Sequence, residues 1–316
     1  MARIGLVLGA GGAVGHAYHA GVLAGIEQAT GWDPRRAELL VGTSAGSIVA
    51  ALLRAGWSAP DLAKGSLREQ LSPAGAALLA KTGARQPLET PGPQHLDVAG
   101  GPSAAGLLLR PWRIRPGVLA AALLPAGKVP TEAIGGAIRA LYGTAWAERP
   151  TWVCATRLED GKLVAFGRQG APPASLAEAV AASCAIPAYF RPVLIGGRRY
   201  VDGGTHSVTN ADLVAGLGLD LVIVSCPMGG TRDAISAGLD LPLRAGVRTR
   251  LAREIAQVRR QGTPVLTLQP TRAERRAMGN NPMNPRVGRA VTAATLESTL
   301  ARLGDPDVEE RLAALA

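Results

Sequence analysis

The stretch Glu38-Leu39-Leu40-Val41-Gly42-Thr43-Ser44-Ala45-Gly46-Ser47-Ile48 constrains this chain more than any other. Three apolar residues read as a short buried strand, and Ile48, Val49, Leu52 and Leu53 read as the buried face of a helix ending at Gly56. Between them, Gly42-Thr43-Ser44-Ala45-Gly46 must reverse the chain sharply, which glycines at both ends of the turn permit because neither carries a Cβ. Such a turn presents the Ser44 hydroxyl, exposed, at a helix N-terminus, where the dipole favours developing negative charge. Ser44 is therefore a candidate nucleophile. The pattern is short, and the chain holds 40 glycines, so the rest of the sequence must decide.

At 316 residues, length allows one large domain or two ordinary ones, and no shift in composition divides it. We expect a single domain over 1–316. Hydrophobic residues make up 47% and aromatics only 3%, so Ala, Val, Leu and Ile pack the core, as suits stacked helix and sheet layers. The net charge of +10 favours anionic partners, either a phospholipid surface or nucleic acid. With no zinc-finger spacing, RNP motif or basic heptad region, no nucleic-acid partner is expected. Cys154, Cys184 and Cys226 are odd in number and far apart, which predicts buried free thiols and a reducing compartment. Ile4 to Ile26 is apolar enough to imitate a membrane span, but its repeated glycines with His16 and His19 fit strand, turn and helix better. The expectation is a soluble, cytoplasmic chain, with peripheral contact to an anionic membrane as an addition.

In chain order, Arg3 to Leu8 reads as a strand, Gly9-Ala10-Gly11-Gly12-Ala13-Val14-Gly15 as a turn, and His16 to Gln28 as a helix. A glycine-rich loop opening a helix is an anion site, for either a dinucleotide pyrophosphate or the oxyanion of an acyl intermediate. The dinucleotide alternative needs a third glycine where Val14 stands and a carboxylate ending the next strand, where Ser44 follows instead. After the strand Leu39 to Val41 and its helix, Ser58-Ala59-Pro60-Asp61 starts another helix predicted to reach about Leu71.

Residues 73–147 read as a loop-rich and helical insertion, with prolines at 87, 91, 93, 102 and 111, an apolar run from Gly117 to Leu124, and a helix from Thr131 to Tyr142. It is either a cover over the site or an ordinary packed subdomain. Trp152–Leu158 and Lys162–Phe166 form a hairpin, and Ser175 to Glu178 has capping-box spacing for a helix reaching Cys184. Arg199-Tyr200-Val201-Asp202-Gly203-Gly204 places an aspartate at a strand end before two glycines, making Asp202 the best general-base candidate. Beyond it come a strand from Asp220 to Cys226, a helix from Leu243 to Gln261, a strand from Pro264 to Gln269 and a helix from near Val287. The Leu243–Gln261 helix carries Arg244, Arg248, Arg250, Arg253, Arg259 and Arg260 on one face, which reads as solvated, with anionic lipid as a minority partner.

The glycine turn at 9–15, Gly42-Thr43-Ser44-Ala45-Gly46, Ala182-Ser183-Cys184-Ala185-Ile186-Pro187 and Asp202-Gly203-Gly204, in that order and spacing, resemble the patatin-like phospholipase family. The likeness covers roughly residues 4–226. It implies a three-layer α/β/α sandwich around a mostly parallel central sheet, and hydrolysis of lipid acyl esters by a Ser-Asp dyad. By that resemblance Ser44 is the nucleophile and Asp202 its partner, with Gly9, Gly15, Gly42, Gly46, Gly203 and Gly204 as motif glycines. The backbone amides of Gly11, Gly12 and Ala13 are expected to form the oxyanion hole. The family pattern has glycine where this chain has Ala10 and a basic residue where it has Val14.

A Ser-His-Asp triad is the nearest enzymatic rival, but the last histidine, His206, stands only four residues past Asp202. His16 and His19 are assigned to packing or exposure rather than to a metal, and His95 lies in the loop-rich stretch. No metal and no cofactor are expected. The non-enzymatic alternative is a lipid-binding or scaffold member that has lost turnover, motivated by Val14.

Overall fold

The computed structural model describes residues 2–82, 127, 129–231 and 241–304, the side chains of 241–243 excepted. Element order is β1 Ile4–Leu8, α1 Gly12–Thr30, β2 Leu39–Thr43, α2 Ala45–Arg54, α3 Ala59–Leu67, α4 Pro73–Lys81 and α5 Glu132–Tyr142. Then follow β3 Thr151–Arg157, β4 Leu163–Phe166, α6 Leu176–Ser183, β5 Val193–Ile195, β6 Arg198–Asp202, β7 Leu221–Ser225, α7 Leu241–Arg260, β8 Val265–Leu268, α8 Arg272–Met278 and α9 Gly288–Leu303.

The strands form one mixed sheet flanked by helices. Pairs β1–β2, β1–β7, β2–β3 and β7–β8 are parallel, whereas β3–β4, β3–β6 and β5–β6 are antiparallel. Every residue of β1, β2 and β7 is buried, as in strands covered on both faces. The two-residue period sorts them. Leu6, Leu8, Leu40 and Ile223 face a cluster with Tyr18, Leu23 and Ile26 of α1, and Val7, Val41, Val222 and Val224 face the opposite cluster with Val247, Leu251 and Val258 of α7. That division makes three α/β/α layers.

Glycines let α1 lie close to α9. A Cβ at Gly21 would stand 2.8 Å from the Thr292 carbonyl oxygen, and Thr292 Oγ1 donates to Ala17 O at 3.0 Å. This is why the apolar N-terminal stretch is glycine-rich. Among the described residues no helix is long and apolar enough to cross a membrane. Cys154, Cys184 and Cys226 are free and buried.

Three expectations require correction. The helix predicted from Ser58 to about Leu71 ends at Leu67, because Arg68 turns left-handed at φ 61°, and a separate helix, α4, follows Ser72, which accepts the Gly75 amide. Buried Asp61 ties the two together by accepting from both the amide and the hydroxyl of Ser72. Second, the arginine face of α7 is partly consumed. Arg244 is buried and donates to Gly229 O at 2.8 Å, Arg250 pairs with Glu254 and Asp212, and Arg259 donates to Val265 O. Third, α8 went unpredicted despite the Thr271–Glu274 capping box that starts it. Helix α5 packs its buried Ile138 and Gly135 against α6. The apolar run 117–124, the prolines from 87 to 116, and His95 lie outside the described residues.

Candidate active site

Strand β3 brings the site together. Its residues 151–154 pair with β2 and 155–157 with β6, while β4 runs along the opposite edge opposite 153–156. β2 and β6 therefore share one edge of β3 and approach head-on, with Thr43 opposite Cys154 and Asp202 opposite Ala155. The residue after Thr43 is Ser44, whose hydroxyl comes close enough to the Asp202 carboxyl to favour its ionised form.

The turn that carries Ser44 is tightly built. Ser44 has φ 54° and ψ −122°, a conformation that costs on the order of 1–3 kcal/mol in an L residue. A Cβ at Gly42 would overlap Ser47, and one at Gly46 would overlap the Leu8 carbonyl, so only glycine fits either position. The strain is held by hydrogen bonds: Ser44 N–H donates to Ser183 Oγ at 2.8 Å, and Ser183 Oγ donates to Cys154 O at 2.6 Å. Ser47 N–H and Oγ both donate to Ser44 O. A second clamp comes from Asn210, itself left-handed at φ 51°. Its Nδ2 donates to Thr43 Oγ1 at 3.1 Å and Ser207 O at 2.8 Å, and His206 Nδ1 donates to its Oδ1.

Asp202 is fixed at both ends. Its amide donates to Ala185 O at 2.9 Å, and its Oδ1 accepts the Gly204 amide at 2.7 Å. Glycine at 203 is required because a Cβ there would overlap the Cys154 carbonyl. Burial pushes the Asp202 carboxyl up to about 6, against the opposing pull of the Ser44 hydroxyl and the Gly204 amide. Cys184 Sγ lies 3.8 Å from Ser47 Oγ, and burial raises its thiol far above the usual range, so it stays protonated. The expectation of an exposed Ser44 is wrong: Ser44 is 3% exposed and Asp202 5%. Position at a helix N-terminus does not bring exposure when the turn is enclosed by Ser183, Cys184 and Asp202.

The glycine loop stands beside this pair. Gly9 N–H donates to Ser225 O and Ala10 N–H to Val208 O, while Val14 N–H donates to Pro282 O at 3.0 Å. The amides of Gly11, Gly12 and Ala13 meet no acceptor among the described residues, and Gly12 and Ala13 are partly open to solvent. The N-termini of α1 and α2 are adjacent, since a Cβ at Gly15 would touch that of Ala45 at 3.4 Å. Two helix dipoles thus point into one place. His19 holds the loop from behind: Nε2 donates to Gly9 O and Nδ1 accepts the Ser225 hydroxyl, both at 2.8 Å. Burial lowers its pKa to about 4, so it is a neutral brace.

Val14, where the family pattern has a basic residue, is 5% exposed and packs in the core under the loop. Ala10 lies against Gly204, 3.4 Å from where a Cβ there would stand. Ser183, Asn210 and the Pro282 carbonyl are site residues that the sequence did not mark individually. Only Ser183 carried a signal, through its place in the Ala182–Pro187 segment. Among the described residues, no group of three or more metal-ligating side chains exists.

The chain resembles two solved structures in outline. VipD from Legionella pneumophila is 14% identical with a TM-score of 0.43, covering 96% of this chain and 66% of its own. The type III effector protein ExoU is 18% identical with a TM-score of 0.38, covering 98% of this chain and 53% of its own. The chain thus spans about two thirds and about half of their lengths. No curated protein sequence matches it. A sequence model described as patatin-like phospholipase matches residues 6–215, a stretch that holds the glycine loop, Ser44 and Asp202. The chain belongs to the patatin-like phospholipase family.

Proposed function

We propose that this chain is a lipid acyl hydrolase of the phospholipase A or esterase type, working through a Ser44–Asp202 dyad and an acyl-serine intermediate. The observation that carries the reading is the Ser44 hydroxyl beside a buried carboxyl, next to three amide donors that meet no acceptor among the described residues. Asp202 accepts the Ser44 proton as Oγ attacks the ester carbonyl, and the amides of Gly11, Gly12 and Ala13 stabilise the oxyanion. Asp202 then protonates the leaving alcohol. Water, deprotonated by the same carboxylate, attacks the acyl carbon, and Asp202 returns the proton to Ser44 Oγ as the acid leaves. A carboxylate is a weak base for serine, and burial strengthens this one by raising its pKa to about 6 while leaving it ionised at pH 7.

A lipid-binding member without turnover, prompted by Val14, is the second reading; against it, the Val14 side chain is buried in the core, apart from the Gly11, Gly12 and Ala13 amides. The dinucleotide alternative lacks its carboxylate, because β2 ends at Thr43 and leads to Ser44. Contact with an anionic membrane rests on exposed Arg253 and Arg260 of α7, and flotation with anionic but not zwitterionic liposomes tests it. For the chemistry, hydrolysis of a fluorogenic ester by wild type, Ser44→Ala and Asp202→Asn is decisive. Turnover must be present in the first and lost by a factor of about 10³ or more in the others. Turnover that survives Ser44→Ala rules the dyad out.

A further inference from the structure

The loop between α8 and α9 reaches across the chain to the glycine cradle. A Cβ at Gly12 would stand 2.7 Å from Pro282 O and 2.9 Å from Met283 Sδ, so these two residues lie against the glycine cradle. Pro282 is held there by the Val14 amide, and Met283 by its own amide donating to Asn281 Oδ1 at 2.9 Å. On its other side Met283 packs against the apolar cluster of Val129, Ala185 and Phe190, edged by half-buried Ile134 and Ile186. That cluster begins beside Asp202, since Ala185 O accepts the Asp202 amide at 2.9 Å.

Met283 thus stands between the place where an ester carbonyl oxygen would sit and the apolar surface nearest to it. We infer that the Val129–Ala185–Phe190 cluster is the acyl-chain site and that Met283 is the side chain that sets which acyl lengths reach it. The inference rests on the dyad reading. An unbranched acyl chain leaving a carbonyl held by Gly11, Gly12 and Ala13 meets Met283 first, and its next contacts are Ile186 and Phe190. Methionine suits this position because its thioether side chain is unbranched and changes shape at little cost. Short acyl groups end before Met283, and long ones must displace it. The ligand class is a medium to long unbranched acyl chain. Met283 lies beyond residue 215, outside the stretch that matches the family, so the likeness supplies no residue for this role.

The test compares p-nitrophenyl butyrate with p-nitrophenyl dodecanoate on wild type, Met283→Ala and Met283→Trp, each titrated with a small fluorophosphonate. The dodecanoate-to-butyrate ratio of kcat/KM should rise several-fold in Met283→Ala and fall at least tenfold in Met283→Trp, with turnover on each ester expressed per Ser44 that labels. A ratio unmoved in both variants while Ser44 still labels overturns the role of Met283 alone, and equal losses on both esters mark it as merely structural. If Ser44 of the wild type does not label, the dyad reading falls and takes this inference with it.

Discussion

Thr43 and Asp202 stand opposite consecutive residues of β3, Cys154 and Ala155, so that the ends of β2 and β6 meet and Ser44 reaches the Asp202 carboxylate. The two side chains are 158 residues apart in sequence, yet a single strand sets their separation. A sheet register is hard to shift by less than a full residue, which gives the pair a rigid reference.

The buried carboxylate predicts the pH dependence of activity. Asp202 must be ionised to accept a proton, and burial raises its pKa from 3.8 to about 6. The acid limb of the kcat/KM profile should therefore turn near pH 6 rather than near 4, with turnover rising as pH rises through that value. A profile flat from pH 5 to 8 contradicts it.

Stability should follow the same group in the opposite sense. A carboxyl whose folded pKa is raised favours the folded state when protonated, so its contribution is complete below about pH 3.8 and is lost as pH rises through about 6. Asp202→Asn removes that dependence. Its stability relative to wild type should increase between pH 4 and pH 7 by on the order of 3 kcal/mol, read from urea unfolding at both pH values.

His19 works with the other sign. Its folded pKa is depressed to about 4 from an ordinary 6.5, so its contribution is present above 6.5 and lost as pH falls towards 4. His19→Gln should unfold with a weaker dependence on pH across that window than wild type. Because His19 holds Gly9 O and Ser225, the same variant should lose labelling at Ser44 less than it loses stability.

Ser183 tests what holds the strained turn. Ser183→Ala leaves the Ser44 amide without its acceptor and Cys154 O without this donor, both buried, and should cost about 2–4 kcal/mol in chemical unfolding. The kcat should fall more than KM changes, because the substrate meets the same cradle while the nucleophile is held less firmly.

Much of this site was legible in the sequence because the relevant rules are local. Gly42 and Gly46 flank a strand-to-helix turn that no other residue permits, and the glycine loop and Asp202-Gly203-Gly204 are equally short-range patterns. The burial of Ser44 was not legible, nor were its clamps. Ser183 and Asn210 reach Ser44 and Thr43 across 139 and 167 residues, and no periodicity records such pairings. Pro282 reaches Val14 through a carbonyl, which carries no side-chain identity at all. The same limit explains α7: its apolar stripe was readable, but the carbonyls that take up Arg244 and Arg259 were not.

The central claim is that Ser44, activated by Asp202, attacks a carbonyl held by the loop at 11–13. Peptide mass mapping after brief exposure to a fluorophosphonate tests it most directly. The account predicts one adduct on the peptide containing Ser44, absent in Ser44→Ala and formed at least a hundredfold more slowly in Asp202→Asn. An adduct on any other residue, or labelling at an unchanged rate without the Asp202 carboxylate, contradicts it.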